Sequence, residues 1–233
     1  MKISIQHIII FVCAIALFSC KKDNYDAPSS QLSGRLVYQG EPINVEYDKV
    51  SFELFQFGFG KTGAIAGTFD QEGKYSMLLF NGEYKFTISK GQGPFQWKQT
   101  STGDPDSLTI KMSGNQVVDL EVTPYYMVRE AKLSGSGTSV SGTFKLDKII
   151  TSEDAKDIEQ VSLYINKTIF VSSANNIAVT SLAGNEIVDM NNISLQVAVP
   201  GMTPSQNYVF ARIGVKIAGV EDMIFSPIEK ISL

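Results

Sequence analysis

The sequence predicts an all-β protein built as two β-sandwich domains in tandem. Three observations carry that expectation. Short runs alternate apolar and polar residues with a period of two, as in Val50-Ser51-Phe52-Glu53-Leu54, the pattern of a half-buried strand. Gly, Asn, Asp and Pro punctuate these runs at turn spacing, and long helical periodicity is absent. A Val122-Thr123-Pro124-Tyr125-Tyr126 joint then separates one block of strands over residues 31–124 from another over 125–233.

The chain opens on Met1-Lys2 and an unbroken apolar run from Ile8 to Phe18. That run is shorter than the ~20 residues a helix needs to cross a bilayer. It ends in Leu17-Phe18-Ser19-Cys20, as a cleaved export signal ends. Leu17-x-Ser19-Cys20 resembles the lipobox of bacterial lipoproteins, with Phe18 departing from the small or aliphatic residue common there. The resemblance implies a signal peptide over residues 1–19, Cys20 as the first mature residue, and membrane attachment through three acyl chains on it. The other reading is an ordinary export signal with a chance cysteine. Residues 20–30 then form a lipidated tether, polar and aperiodic, with Pro28 near its end. Ten extended residues reach at most ~35 Å. Lys21-Lys22-Asp23 resembles, with a single acid, the charged signal that follows the cysteine in lipoproteins sent to the outer face of the outer membrane in Bacteroidetes.

The leader also bounds the chemistry. His7 and Cys13 would leave with it and Cys20 would be acylated, so the mature chain has no histidine and no free thiol. That argues against Ser-His-Asp and Cys-His catalysis, against His/Cys zinc sites and against thiol redox chemistry. We expect no enzyme, no cofactor and no metal. Loss of Lys2 leaves 19 basic against 24 acidic residues, a net charge of −5, which argues against nucleic acid as a partner. Paired acids could hydrolyse glycosides without histidine. The acids here lie on turns or outward strand positions, as Asp119 and Glu121 do, with no pair set apart.

In the first block, Leu32, Leu36 and Tyr38 start a strand through Gly34, and Gly40-Glu41-Pro42 turns it. Val50, Phe52 and Leu54 form the next strand. Asp70 and Gly73 mark a tight turn, Asn81-Gly82 a second one, and Tyr84-Lys85-Phe86-Thr87-Ile88 alternates cleanly. Leu108-Ile110-Met112 and Val118-Leu120-Val122 are two more strands, joined at Gly114-Asn115. The order Gly34, Gly40-Glu41-Pro42, Asp70-Gln71-Glu72-Gly73-Lys74-Tyr75 and Gly82-Glu83-Tyr84 resembles the carboxypeptidase regulatory-like, transthyretin-like sandwich. In that frame Tyr75 and Tyr84 pack at the sandwich edges as structural residues.

In the second block, Val140, Phe144 and Leu146 alternate with polar residues, and Thr151-Ser152-Glu153-Asp154 has helix-start spacing, predicting a short helical turn through Ile158. Val161-Leu163-Ile165, Leu195-Val197-Val199 and Val209-Ala211-Ile213-Val215 are strands. Met202, Pro204 and Tyr208 resemble the tyrosine corner of fibronectin type III and related immunoglobulin-like sandwiches, which implies that the Tyr208 hydroxyl bonds back to its loop. Taken with the lipobox and the Pro-Tyr-Tyr joint, the two blocks resemble the Bacteroidetes lipoproteins catalogued as domain-of-unknown-function family 3823. That resemblance implies an outer-membrane surface lipoprotein beside a starch-utilisation-type uptake complex, with polysaccharide or oligosaccharide capture as its role. The alternative is a structural spacer or adhesion and protein-docking lipoprotein without a sugar site.

Trp97, the sole tryptophan, lies with Phe95 in Gly91-Gln92-Gly93-Pro94-Phe95-Gln96-Trp97-Lys98-Gln99. Aromatic faces beside amide and ammonium donors suit sugar stacking. Burial of each ring would remove ~150–250 Å² from water, a strong drive toward core packing instead. Tyr125 and Tyr126 are either ligand groups in an interdomain cleft or stiffeners of the joint. Asp104 and Asp106 are too few for the 6–8 oxygens of a calcium site. Asp106-Ser107-Leu108 matches the acceptor pattern of Bacteroidetes O-glycosylation, which makes Ser107 a candidate modification site.

Overall fold

The computed structural model describes residues 26–58 and 63–233. The leader, Cys20 and the tether before Asp26 lie outside them. In the first block the strands are β1 (Ser30–Tyr38), β2 (Glu41–Pro42), β3 (Ser51–Gln56), β4 (Ile65–Thr68), β5 (Lys74–Leu79) and β6 (Gly82–Thr87). They continue with β7 (Phe95–Gln96), β8 (Leu108–Met112), β9 (Gln116–Val117), β10 (Leu120–Glu121) and β11 (Thr123–Pro124). One sheet gathers β5, β2, β9 and β10 around β1; the other runs β4-β3-β6-β8. Between them sits an aromatic core, with Phe52 stacked on Phe86 at 4.7 Å and tilted against Phe69 at 5.0 Å.

The expected turns are present, but they do different work from simple hairpins. β4 pairs with β3 and β5 with β1, so the Asp70–Gly73 turn carries the chain from one sheet to the other. Asp70 Oδ1 holds that turn by accepting from the Glu72 and Lys74 N–H groups at 2.9 and 2.8 Å. Asn81-Gly82 is a corner of the same kind, since β6 pairs with β3 and β8. Asn81 Oδ1 accepts from the Ser30 hydroxyl at 2.6 Å and from the Gly114 N–H at 3.0 Å. Tyr75 and Tyr84 correct the edge expectation. Both are buried in the core, and their hydroxyls donate to the Val118 and Phe80 carbonyls at 2.8 and 2.9 Å. Burial pushes both hydroxyl pKa values up.

The last predicted strand of the block is broken. β9 and β10 both run parallel to β1, and the chain between them kinks at Val118-Asp119. There the Val118 carbonyl comes so close to Gly34 that a Cβ on Gly34 would sit 1.9 Å from it. Asp119 Oδ1 takes the Arg35 N–H that a regular ladder would have bonded.

The second block holds β12 (Tyr126–Gly135), β13 (Ser139–Lys148), β14 (Ile158–Asn166), β15 (Ala178–Ala183), β16 (Ile193–Ala198), β17 (Tyr208–Ile217), β18 (Ile224–Phe225) and β19 (Glu229–Ser232). A β12-β13-β16 sheet faces one in which β15-β14-β17 continues into β18 and β19. Two details differ from expectation. Residues 151–157 form a turn rather than a helical one, closed by the Ala155 N–H on the Ser152 carbonyl at 2.9 Å. The segment is too short for a nucleated helix and leads straight into β14. Tyr208 does not make a tyrosine corner: no bond from its hydroxyl to the loop occurs among the described residues. Its ring lies on the outward side of β17, under the Lys230 ammonium at 3.9 Å from the centroid. The adjacent Val209 takes the core side.

The two sandwiches are joined by more than the chain. The Phe225 N–H donates to the Asn44 carbonyl at 3.0 Å, which makes a bridge between the domains. The Gln71 side chain brackets the 169–171 backbone, donating to the Ile169 carbonyl at 3.2 Å and accepting from the Val171 N–H at 3.1 Å. Glu46 accepts from the Ser173 hydroxyl at 2.9 Å and from the Ala174 N–H at 3.2 Å. At the centre Arg212 is fully buried. It lies 3.7 Å over the Phe225 ring, donates to the Val45 carbonyl at 3.1 Å, and donates through Nε to the Val171 carbonyl. Burial pulls its guanidinium down to about 9, against opposition from Glu46 and Tyr164, so it stays a cation at neutral pH.

Candidate functional site

The joint Thr123-Pro124-Tyr125 does not run free between the domains. β11 pairs antiparallel with β7, Pro124 opposite Phe95 and Thr123 opposite Gln96, and the Tyr125 N–H donates to the Pro94 carbonyl at 3.2 Å. That pairing brings the 88–105 loop of the first domain against the 154–156 and 219–220 segments of the second. Gly93 fixes the approach. Its φ is +79°, and a Cβ there would lie 2.4 Å from the Phe95 ring. Its N–H donates across the joint to Asp222 Oδ2 at 2.8 Å.

The result is a cleft of about 480 Å³, within the range that holds small ligands. Phe95, Trp97 and Tyr125 all line it, so the structure brings together three of the four aromatic residues singled out in the sequence. They line it by their edges. Phe95 is 4% exposed, and Trp97 and Tyr125 are each 9% exposed. Of the two readings open for Trp97, core packing is the one realised: its ring tilts against Phe86 at 6.1 Å and its Nε1–H donates to the Asp106 carbonyl at 2.8 Å. An open stacking face is not what the cleft offers.

Polar groups at the mouth divide into committed and free ones. Gln92 Oε1 already accepts from the Ser51 hydroxyl and N–H. Gln96 lies beside Tyr125, whose hydroxyl pKa is raised by burial and by nearby Asp154, with Gln96 opposing. Lys90, Gln99 and Asp154 line the mouth in exposed positions. The Lys156 ammonium stands 5.7 Å from the Tyr125 ring centroid. The arrangement offers apolar edges at its base with ammonium, amide and carboxylate groups above them. It suits reversible binding of a polar ligand with apolar faces.

The remaining candidates fall elsewhere. Tyr126 is outside this cleft; its hydroxyl donates to the Lys156 carbonyl at 2.7 Å, and the Lys148 ammonium lies 5.8 Å from its ring centroid. Tyr126 is thus tied to the 148 and 156 positions of its own domain. Ser107 is half-buried where β8 begins, its N–H donating to Asp106 Oδ1 at 2.8 Å. Asp106 pairs with Lys98 at 2.8 Å, and the Lys98 and Ser107 bonds hold its carboxyl below the usual range. Asp119 and Glu121 accept from the Arg35 and Gln39 N–H groups and so finish the β1 edge. Among the described residues no group of three or more His, Cys, Asp or Glu converges to hold a metal ion.

Sequence reasoning passed over the residues that lock the two domains together: Arg212, Gln71, Glu46 and Asp222. Arg212 did carry a signal. It is the one cation within Val209-Phe210-Ala211-Arg212-Ile213-Gly214-Val215, a run otherwise apolar as a doubly buried strand is.

Comparison with known proteins agrees with this architecture. Residues 30–123 match the model of the N-terminal domain of DUF3823, a protein family of unknown function, and residues 126–230 match its C-terminal domain, DUF3823_C. A solved DUF3823 family protein from Parabacteroides merdae is 31% identical, with a TM-score of 0.77 over 89% of this chain and 100% of its own. The chain belongs to the DUF3823 family. A DUF3823 family protein from Bacteroides ovatus is 28% identical, with a TM-score of 0.76 over 88% of this chain and 100% of its own. A protein from Bacteroides uniformis, provisionally described as carbohydrate binding, is 17% identical, with a TM-score of 0.65 over 88% of this chain and 100% of its own. At that identity the likeness to this DUF3823 chain is one of fold. No curated protein matches the chain.

Proposed function

We propose that this DUF3823 protein is a non-catalytic lipoprotein of the outer-membrane surface, anchored through Cys20, that captures glycan at the joint cleft for an uptake complex. The observation that carries the reading is the cleft itself: two domains locked together place Phe95, Trp97 and Tyr125 under the free polar groups of Lys90, Gln99, Asp154 and Lys156. A sugar presents apolar C–H faces and a polar rim, which fits that division. The provisional description of the Bacteroides uniformis protein belongs to that protein and lends this chain only an analogy of fold.

The test is direct because Trp97 is the sole tryptophan and lines the cleft. Titration of the mature chain with a polysaccharide panel is expected to change its fluorescence, and the joint variant Gln99→Ala/Lys156→Ala is expected to weaken that response. Fluorescence indifferent to every member of the panel sinks the joint cleft as the glycan site. The second reading, a spacer or docking module, is favoured by the burial of Phe95 and Trp97 and by the Arg212 lock. Under it Trp97→Ala lowers thermal stability and alters nothing else. Orientation has its own check: protease added to intact cells cuts an outward-facing protein and spares an inward-facing one.

A further inference from the structure

A second surface has the chemistry of a carbohydrate site and shares no residue with the joint cleft. An open groove of about 590 Å³ crosses the outer face of β9, β1 and β5 and ends against Tyr47 and Thr68. Strand alternation sends Leu32 and Leu36 inward and turns Gln31, Ser33 and Arg35 onto this face, where Ser76 and Lys74 lie opposite Ser33 and Arg35 in register. The floor is thus a row of amide, hydroxyl and guanidinium groups.

Tyr47 closes one end and, like Phe57, Phe80 and Phe170, is an exposed aromatic. It is 49% exposed, whereas Tyr75, Tyr84, Phe86 and Trp97 are buried. Its ring does not hang free. Phe170 of the second domain meets it edge-on at 5.2 Å, and Phe170 follows Ile169, whose carbonyl is held by Gln71. The lock between the domains therefore sets the orientation of an exposed aromatic wall before any ligand arrives, which lowers the ordering cost of binding. The charges along the groove carry no positive excess: Arg35 and Lys74, the latter paired to Glu72, stand against Asp70 and Asp119. Such a lining does not select a polyanion. It suits a neutral, hydroxyl-rich ligand that can donate and accept at each position.

We propose that the β9-β1-β5 groove binds a neutral oligosaccharide chain, with Tyr47 as its stacking wall. The proposal rests on the reading of this protein as a glycan binder but not on the joint cleft. The test therefore uses the mature chain carrying Gln99→Ala/Lys156→Ala, in which the cleft rim is removed. Titration calorimetry against neutral and anionic polysaccharides is expected to find residual binding to a neutral one. Adding Tyr47→Ala should weaken that binding by roughly tenfold or more. Tyr47→Phe, which keeps the ring, should retain it, and melting temperature checks that each variant is folded. Unchanged affinity in Tyr47→Ala overturns the groove and leaves the cleft standing. Loss of all binding in the cleft variant does the same, and absence of any polysaccharide binding by the unsubstituted chain overturns both. Binding confined to anionic polymers overturns the charge argument and the proposal with it.

Discussion

Asp222 shows how a single buried carboxylate can be held in place and still be a liability. Burial raises its pKa, and Glu221 and Glu46 push the same way; the Gly93 N–H and Lys216 oppose without prevailing. A native pKa above the unfolded value means the folded state binds more protons between the two, so stability falls as pH rises through the folded pKa. Asn at this position keeps an acceptor for the Gly93 N–H and carries no charge. Asp222→Asn is therefore expected to be more stable than the parent at pH 7, with the difference vanishing at acid pH below both pKa values. Urea midpoints from pH 3 to 7 with an unchanged slope check it; a variant less stable at pH 7 refutes it. Such residues were poorly legible in the sequence. Asp222 sits in a Gly219-Val220-Glu221-Asp222 turn that reads as solvated, and only the chain 129 positions away gives it a partner. The drive to bury Trp97 was legible by physics, since its ring removes a large area from water, but the sequence left both of its readings open. Arg212 was visible as an oddity but not as a lock, because its acceptors lie on distant loops.

The strands themselves were largely readable, and the reason is periodicity. Phe52, Leu54, Tyr84 and Phe86 all face the core as alternation requires. What alternation cannot give is which sheet a strand joins, so Asp70–Gly73 and Asn81-Gly82 read correctly as turns but not as crossings from one sheet to the other. Nor does it reveal a kink such as Val118-Asp119, which depends on β1 passing alongside. Gly34 is the mark of that passage. Gly34→Ala puts a Cβ 1.9 Å from the Val118 carbonyl, a rigid backbone atom, and must push β1 away from β9 and β10 together. Gly40 has a φ of +81° but nothing within 4 Å of its missing Cβ, so Gly40→Ala bears only backbone strain of about 1 kcal/mol. We expect Gly34→Ala to lose more than about 4 kcal/mol or fail to fold, the range reserved for broken architecture. Equal losses in the two variants by chemical denaturation would show that the close approach does not govern this sheet.

At the scale of the molecule, the lock between the domains ought to make them unfold as one. Gln71, Glu46 and Asn44 meet the second domain through backbone partners, Asp222 reaches back to Gly93, and Arg212 fills the space between with its two carbonyl acceptors on different domains. Opening the interface exchanges these bonds for bonds to water, at a net cost of roughly 0.5–1.5 kcal/mol each, and exposes the apolar surface packed beside them. Neither sandwich can then melt without exposing the other. Trp97 lies in the first domain alone, whereas strand ellipticity comes from both, so the two signals separate the domains without labels. Their transitions are expected to coincide in the parent chain. Arg212→Ala empties the centre of the interface and strips the Val45 and Val171 carbonyls of their donor. Its loss should be on the order of the 2–5 kcal/mol of a large core truncation, and it should pull the two transitions apart. The same variant joins stability to the proposed binding, because Arg212 and Gln71 hold the 169–171 segment that sets Phe170 against Tyr47. A parent chain whose tryptophan and ellipticity transitions already differ would mean the contacts are too weak to couple the domains, and neither the cleft nor the aromatic wall would be preformed.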